Sequence, residues 1–185
     1  MTSPGVVLTG GASRRMRTDK ACIVWRGETL AARAARVLAA VCDPVVEAGA
    51  GVTGLRCVRE DPPGAGPLAA LVTAAGAFGT PGPVVLFACD MPFVEEPLLR
   101  LVADRRGDAT VIPVADGRLQ LACARYGPAA ILRARQALAR GETALRAAVG
   151  TDFEEVAEDE WRPVAGPDAF ADLDTPEDLA RLGLS

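Results

Sequence analysis

A cluster of small and cationic residues between Thr9 and Lys20 has the composition of a phosphate-binding loop. Gly10 and Gly11 are adjacent, Ser13 adds a hydroxyl, and four cations lie within seven residues. These cations are Arg14, Arg15, Arg17 and Lys20. Glycines let backbone N–H groups approach an anion closely, and successive amides can form an anion-binding nest. The residue types and their spacing therefore predict binding of a polyphosphate.

Two well-known phosphate-loop patterns do not fit this segment. Its adjacent glycines depart from the G-x-G-x-x-G pattern, and Lys20 follows Asp19 instead of the glycine of a P-loop. Lys20 is the only lysine among 20 basic residues, and its compact ammonium differs chemically from a guanidinium. We expect it to contact phosphate. The competing interpretation is a plain glycine-rich turn whose arginines lie in solvent.

Two carboxylates stand where strands are expected to end. Asp90 follows the apolar run Val84–Ala88 after one cysteine, and Asp61 precedes a pair of prolines. Mg²⁺ is usually held by one or two carboxylates together with substrate phosphates, so Asp90 is a predicted metal ligand. The alternative for both residues is that the carboxylate caps a turn or the start of a helix.

The composition excludes several classes of function. The chain has 185 residues and no histidine, which excludes Ser-His-Asp hydrolysis, Cys-His proteolysis and histidine-ligated zinc or iron. The formal net charge is −4 and no basic block is present, so nucleic acid is not expected as a partner. No apolar run approaches the ~18 residues of a membrane span, so no membrane association is expected.

The five cysteines are widely spaced and include no C-x-x-C pair. We interpret them as reduced thiols of a cytoplasmic protein, consistent with an N-terminus that lacks the pattern of a signal peptide. Cys89 differs from the other cysteines because it directly precedes Asp90, a predicted metal ligand.

Apolar segments alternate with helical patterns, which predicts an α/β fold. Strands are predicted at 5–8, 44–47, 55–58, 84–88, 109–114 and 153–156, and helices at 29–41, 67–77, 96–104, 128–140, 143–149 and from 175 onward. Continuous apolar strands between helices indicate a mostly parallel sheet with helices on both faces. Asp116-Gly117 predicts a hairpin with 119–125 as its returning strand, so the sheet is mixed. We expect residues 1–185 to form a single domain.

This fold would position the chemistry at one edge of the sheet. In open α/β sheets, ligands bind outside the carboxyl ends of the strands. Three polar segments, 9–20, 59–66 and 89–92, fall at predicted strand ends. We therefore expect Lys20, Asp61 and Asp90 to belong to one site.

Four segments resemble, in order, the motifs of the molybdenum cofactor guanylyltransferases. Residues 8–20, L-T-G-G-A-S-R-R-M-R-T-D-K, are similar to the family's L-A-G-G-x-S-x-R-M-G-x-D-K. Glu60-Asp61 followed by G-P-L-A at 66–69 resembles the second motif, and C-D-M-P-F at 89–93 resembles the metal-site motif. Residues 170–179, F-A-D-L-D-T-P-E-D-L, resemble the closing motif F-x-N-x-N-T-P-E-D-L. The resemblance spans nearly the whole chain.

The resemblance implies a Rossmann-like nucleotidyltransferase fold and a specific reaction. GTP and molybdopterin would give molybdopterin guanine dinucleotide and pyrophosphate, with Mg²⁺ as cofactor. The adjacent glycines favour GTP, because relatives that use CTP tend to carry Ala-Gly there. The implied partners are GTP and molybdopterin, with other cofactor-maturation proteins and molybdoenzymes as further candidates.

Residue roles follow from the matched motifs together with the composition of the loop. By resemblance, Leu8 and Gly11 would bind the guanine nucleotide, Lys20 its phosphates, Asp61 its nucleoside and Asp90 the metal. The expected nucleotide-binding residues are Leu8, Thr9, Gly10, Gly11, Ser13, Lys20, Asp61 and Asp90. The expected catalytic residues are Lys20, Arg15 and Asp90. Gln120, after the hairpin, is a candidate on the acceptor side.

Three departures from the family pattern keep other functions open. Arg17 stands where the family usually has glycine, and Asp172 and Asp174 replace two asparagines. A molybdopterin cytidylyltransferase, a phospholactate guanylyltransferase and a sugar-1-phosphate nucleotidyltransferase remain alternatives within the superfamily. A non-catalytic nucleotide-binding paralogue is the alternative from a different functional class.

Overall fold

The computed structural model describes residues 2–10, 19–60, 64–79, 82–173, 178 and 180. The strands are β1 (Gly5–Leu8), β2 (Val24–Trp25), β3 (Glu28–Thr29), β4 (Val45–Ala48), β5 (Cys57–Val58), β6 (Val84–Ala88), β7 (Thr110–Ala115), β8 (Arg118–Leu119), β9 (Cys123–Tyr126) and β10 (Phe153–Val156). The helices are α1 (Leu30–Ala39), α2 (Pro67–Ala77), α3 (Glu96–Ala103), α4 (Pro128–Ala139) and α5 (Glu158–Trp161). Short 3₁₀ helices cover Lys20–Cys22 and Leu145–Ala148.

The central sheet is mixed and mostly parallel, as predicted. Its strand order is β10-β7-β9-β6-β1-β4-β5, with β8 paired to β7. β1 lies between β4 and β6 and is parallel to both, while β9 runs antiparallel to its neighbours β6 and β7. The carboxyl ends of β4, β1 and β6 therefore meet at one edge of the sheet.

Helices cover both faces of this sheet, which confirms the predicted layers. Successive residues of β1 point to opposite faces, so Val7 packs with α1 and α3, whereas Val6 and Leu8 pack with α2 and α4. These strand residues are buried, and the helices contribute mainly leucine, valine and alanine to the two cores. The apolar strands of the sequence therefore form a sheet that is buried on both sides.

The starts of four helices are stabilised by a capping side chain or by proline in the first turn. Thr29 caps α1, because its hydroxyl accepts a hydrogen bond from the N–H of Ala32. Proline occupies the first turn of α2, α3 and α4, where its missing N–H costs no helical hydrogen bond.

Some elements differ from the sequence-based expectations. The strand expected at 119–125 is divided into β8 and β9 by a turn in which the N–H of Cys123 donates to the carbonyl of Gln120, and β9 then pairs with β6. The helix expected at 143–149 is a single 3₁₀ turn at Leu145–Ala148. The β2–β3 hairpin and α5 were not predicted. Residues 174–177, which include the start of the predicted last helix, lie outside the described part.

In the described part of the chain, no helix is both long and apolar enough to cross a membrane. All five cysteines lie in this part and are free thiols, with Cys42, Cys89 and Cys123 buried. Burial raises the pKa of the Cys89 thiol to about 12, with smaller contributions from the charges of Asp90 and Asp19. The proximity of Cys89 to Asp90 therefore does not make it a reactive thiolate.

Candidate functional site

A cavity of about 320 Å³ opens at the carboxyl ends of β1 and β6. Five of the predicted site residues line it: Leu8, Thr9, Gly10, Lys20 and Asp90. The other predicted residues, Gly11, Ser13, Arg15 and Asp61, lie outside the described part, as do Arg14 and Arg17. The described half of the predicted site is thus gathered in one place, where α/β sheets bind ligands.

Lys20 and Asp90 form the charged centre of this cavity. The Lys20 Nζ lies 3.6 Å from Oδ2 of Asp90, and the two side chains are 15% and 29% exposed. Lys20 begins a 3₁₀ turn that is capped by Asp19, whose carboxylate accepts from the N–H of Ala21. Lys20 and Asp90 are 70 positions apart in sequence, and the parallel pairing of β1 and β6 brings the two segments that carry them together.

The backbone of the Asp90 loop is fixed from two sides. The N–H of Cys89 donates to the carbonyl of Leu8, which joins the ends of β6 and β1. The N–H of Leu173 donates to the carbonyl of Asp90 at 3.0 Å, and the Leu173 side chain is fully buried beside Trp25. Through Leu173, the closing segment of the chain is anchored to the same loop as Asp90.

Arg33 is a positioning residue that the sequence analysis missed. It lies on α1 with only 9% of its side chain exposed, and its Nε donates to the carbonyl of Pro92 at 2.7 Å. The same guanidinium binds Glu95 at 2.6 Å and lies 5.2 Å from the ring of Trp25. A signal was available, because Arg33 falls on the apolar stripe of α1 formed by Leu30, Ala34 and Val37.

Asp172, a departure from the closing motif, and Gln120, the candidate on the acceptor side, differ in their relation to the cavity. Asp172 lines the cavity, so one of the two substitutions in the closing motif places a carboxylate at the ligand site. Asp174, the other substitution, lies outside the described residues. Gln120 does not line the cavity; its side-chain amide donates to the carbonyl of Arg118.

A second carboxylate, Glu47, stands at the carboxyl end of β4 and is completely buried. Its oxygens accept hydrogen bonds from the Thr9 hydroxyl, from the N–H groups of Gly51, Val52 and Thr53, and from the Thr53 hydroxyl. Desolvation acts to raise the pKa of Glu47, but these hydrogen bonds outweigh it and lower the pKa to about 2. Glu47 is therefore ionised, although it does not face the cavity.

The Glu47 turn lies against the start of the glycine-rich segment. The N–H of Thr9 donates to the carbonyl of Ala48, and the N–H of Ala50 donates to the Thr9 hydroxyl. A Cβ on Gly49 would lie 2.2 Å from the nitrogen of Gly10, so only glycine permits this contact. The sequence signal for this arrangement is a lone acidic residue that ends a buried strand before a glycine-rich turn.

The charged groups in the described lining of the cavity are the carboxylates of Asp19, Asp90 and Asp172 and the ammonium of Lys20. Within the described residues, no group of three or more His, Cys, Asp or Glu side chains is placed to hold a metal ion. A divalent cation at Asp90 would therefore take further ligands from substrate phosphates and water, which is the usual arrangement for Mg²⁺. A cavity with this charge pattern fits a nucleoside triphosphate that arrives with a divalent cation.

Comparison with known proteins supports the fold and the family that the sequence motifs indicate. Residues 5–156 match the MobA-like NTP transferase domain family. A protein named probable molybdenum cofactor guanylyltransferase from Opitutus terrae is 37% identical, over 96% of this chain and 93% of that protein. A protein of the same name from Chloroflexus aggregans is 32% identical, over 97% of this chain and 92% of its own length.

Solved structures share the same architecture. Molybdopterin-guanine dinucleotide biosynthesis protein A from Archaeoglobus fulgidus superimposes with a TM-score of 0.82, over 97% of this chain and 96% of that protein, at 21% identity. The 2-C-methyl-D-erythritol 4-phosphate cytidylyltransferase from Thermus thermophilus superimposes with a TM-score of 0.67 over 98% of this chain and 97% of that protein, at 16% identity. At these identities the likeness shows the fold alone, and this fold does not select the nucleotide by itself.

Proposed function

The chain belongs to the MobA-like NTP transferase domain family, and we propose that it transfers GMP from GTP to molybdopterin. The products are molybdopterin guanine dinucleotide and pyrophosphate. Support comes from two relatives that carry the name of this activity and match the chain over nearly its full length. The observation that carries the proposal is the pairing of Lys20 with Asp90 in a cavity at the ends of β1 and β6.

The absence of histidine from the chain is compatible with this reaction. The acceptor is a phosphate monoester with a second pKa near 6, so most of its nucleophilic oxygen is already ionised at pH 7. Attack on the α-phosphorus of GTP therefore needs no strong protein base. The protein has to align the two phosphates and offset the negative charge that develops on the leaving pyrophosphate.

Lys20 and Asp90 have separate proposed roles in the transfer. The Lys20 ammonium is a compact cation on the cavity wall, and we assign it to the triphosphate, where it offsets charge on the departing pyrophosphate. Arg15 is proposed to support Lys20 in this role, on the strength of the motif that contains it. Removal of one such preorganised contact costs about 3 kcal/mol, or roughly 10²-fold in rate.

Asp90 is proposed to hold Mg²⁺, because its carboxylate is partly exposed to the cavity and hard oxygen ligands suit this ion. Held there, Mg²⁺ would supply positive charge that offsets the negative charge of the phosphates. The Lys20 ammonium lies 3.6 Å from the same carboxylate and partly neutralises its negative charge.

The nucleotide itself is assigned to the glycine-rich side of the cavity. Leu8, Thr9 and Gly10 line the cavity there, and we propose that they contact GTP. Gly11 and Ser13 are proposed to contact its phosphates, and Asp61 its nucleoside, because they occupy the matching positions of the family motifs. Work in the cytoplasm, beside other cofactor-maturation proteins and the molybdoenzymes that receive the product, is part of the same proposal.

Thermal stabilisation by nucleotides tests this proposal. Unfolding is measured with GTP, CTP and ATP, each with and without Mg²⁺, on the wild type and on Lys20→Ala. A ligand at ~100-fold its dissociation constant adds ~2.7 kcal/mol to stability. We expect a GTP-selective shift that Mg²⁺ enhances and that Lys20→Ala reduces. A larger shift with CTP would overturn the choice of nucleotide, and a shift that is unchanged in Lys20→Ala would overturn the role of Lys20.

A further inference from the structure

The buried carboxylate of Glu47 has no role in the proposed transfer, yet its surroundings connect it to the nucleotide side of the cavity. It lies at the end of β4, which is the strand next to β1 on the side opposite β6. Thr9 and Gly10, which line the cavity, come from the end of β1. Glu47 therefore approaches the glycine-rich segment from the side away from Asp90.

The connection runs through two hydrogen bonds at Thr9. The Thr9 hydroxyl donates to Oε1 of Glu47 and accepts from the N–H of Ala50 at 3.0 Å. The hydroxyl therefore both donates and accepts a hydrogen bond within the protein. The side chain of Thr9 is fixed, and its backbone continues into Gly10 at the cavity wall.

The second connection is a close backbone contact between Gly49 and Gly10. Glu47 accepts from the N–H groups of Gly51, Val52 and Thr53 at 2.6, 2.9 and 2.8 Å, which folds the turn back over its own strand. Gly49 has a positive φ of 138°, and a Cβ added there would also lie 2.7 Å from Cα of Gly10. The turn held by Glu47 thus forms a rigid support behind Gly10.

Gly51 lies in the same turn and offers an internal comparison. Its φ is also positive, at 76°, but an added Cβ would lie 3.6 Å from the Cys57 sulfur, which is an ordinary contact distance. An alanine at either position carries the backbone cost of a positive φ. Only an alanine at Gly49 also pushes against Gly10.

We propose that Glu47 is a positioning residue for nucleotide binding, which acts by holding the 49–53 turn against Gly10. The inference rests on the proposed function, since it assumes that Gly10 contacts the nucleotide. Glu47 itself touches no substrate. Its loss changes the shape of the β1 side of the cavity and leaves the Asp90 loop, which is held by Leu173 and Arg33, in place.

Steady-state kinetics on the full chain test the inference through the separation of KM from kcat. In Glu47→Gln, one of the two acceptor oxygens becomes an N–H donor that faces other donors. We expect its KM for GTP to rise by about tenfold, because a charged, buried hydrogen-bond network is broken, while the KM for molybdopterin stays within about twofold. Ile112→Ala, a core change in β7, serves as a control for general destabilisation.

The glycine pair keeps the test decisive if Glu47→Gln fails to fold. Gly49→Ala should raise the KM for GTP, whereas Gly51→Ala, which also places alanine at a positive φ but adds no contact with Gly10, should raise it much less. A milder pair acts on Thr53: Thr53→Val removes one hydroxyl donor to Glu47, and Thr53→Ser retains it. We expect the serine variant to keep the KM of the wild type and the valine variant to raise it.

The outcomes separate this inference from the proposed function. If the wild type transfers no GMP, the proposed function fails. If the wild type is active and Glu47→Gln, Gly49→Ala and Thr53→Val all keep its KM for GTP, the positioning role is overturned. An equal rise in Gly49→Ala and Gly51→Ala, or in Glu47→Gln and Ile112→Ala at matched thermal stability, would also overturn it, because the effect would then be general destabilisation.

Discussion

Two carboxylates lie at neighbouring strand ends, Glu47 as the third residue of β4 and Asp90 just after β6, and their surroundings differ sharply. Glu47 is fully buried and receives five hydrogen bonds from Thr9 and its own turn. Asp90 is 29% exposed, faces the cavity and lies 3.6 Å from Lys20. β4 and β6 flank β1, so the two carboxylates lie at the same edge of the sheet. Strand-end position alone therefore does not tell a ligand-binding carboxylate from a structural one.

The difference lies in where the hydrogen-bond donors come from. The turn after Glu47 supplies enough N–H and hydroxyl groups to satisfy the carboxylate, so the protein itself stabilises its charge. Asp90 uses its backbone carbonyl for Leu173 and keeps its side chain on the cavity wall. We expect Asp90 to control catalysis and Glu47 to control stability and the shape of the nucleotide side.

The largest expected effect is on catalysis in Asp90→Asn. An amide is a weaker and neutral metal ligand, so kcat should fall by about 10³-fold, at the upper end for one preorganised electrostatic contact. Stability should change by less than about 1 kcal/mol, because the side chain is partly exposed. Pyrophosphate release and urea unfolding measure the two quantities. Activity close to that of the wild type would contradict the assignment of Asp90.

Glu47 should instead show its effect in the pH dependence of stability. Its pKa is lowered from 4.5 to about 2, so the ionised form stabilises the fold by about 3 kcal/mol. This contribution is complete above pH 4.5 and is lost as the pH falls towards 2. Urea unfolding of Glu47→Gln between pH 7 and pH 2 should show a weaker dependence than the wild type. If the free energy of unfolding depended on pH in the same way in the wild type and in Glu47→Gln, the stabilising role of the ionised Glu47 would be contradicted.

Lys20→Arg tests whether the lone lysine needs its particular shape. The planar guanidinium retains the charge but is bulkier than the ammonium, so we expect kcat/KM to fall by about 10²-fold. Asp90 should still have a cationic neighbour, and the thermal midpoint should change little. Full activity in this variant would show that charge alone is required at Lys20.

The smallest expected effect concerns the support of the Asp90 loop by Arg33. Arg33→Met removes the donor to the carbonyl of Pro92 and should cost about 2 kcal/mol of stability with a several-fold loss of kcat. Arg36→Met is the matched control on the same helix, since Arg36 is 59% exposed and pairs with Glu28. The control should stay within about 0.5 kcal/mol of the wild type. Equal losses in both variants would contradict the special role of Arg33.

The predictable parts of the molecule were those with a strong local signal. The strands β1 and β6 are continuous apolar runs followed by polar segments, so the fold and the meeting of Lys20 and Asp90 at one cavity could be predicted from the sequence, while the roles of these two residues stay a prediction. The prediction for the remaining phosphate-loop residues, including Gly11, Ser13 and Arg15, and for Asp61 stays a prediction.

The missed features depend on packing between distant segments. Arg33 was missed because its partner, the carbonyl of Pro92, is 59 residues away in sequence. The role of Glu47 depends on the register between β1 and β4, which places Leu8 beside Ala48 and so brings Gly10 to Gly49. The break between β8 and β9 arises because β9 pairs with β6, and a hairpin motif carries no information about that third strand.

Product analysis with GTP labelled at the α-phosphorus, molybdopterin, Mg²⁺ and the purified protein tests directly whether the protein transfers GMP to molybdopterin. We expect the label to enter a molybdopterin dinucleotide, with one pyrophosphate released per product, and Asp90→Asn to slow the transfer by about 10³-fold. Transfer from CTP in preference to GTP, or no labelled dinucleotide from a protein that binds GTP, would contradict this expectation.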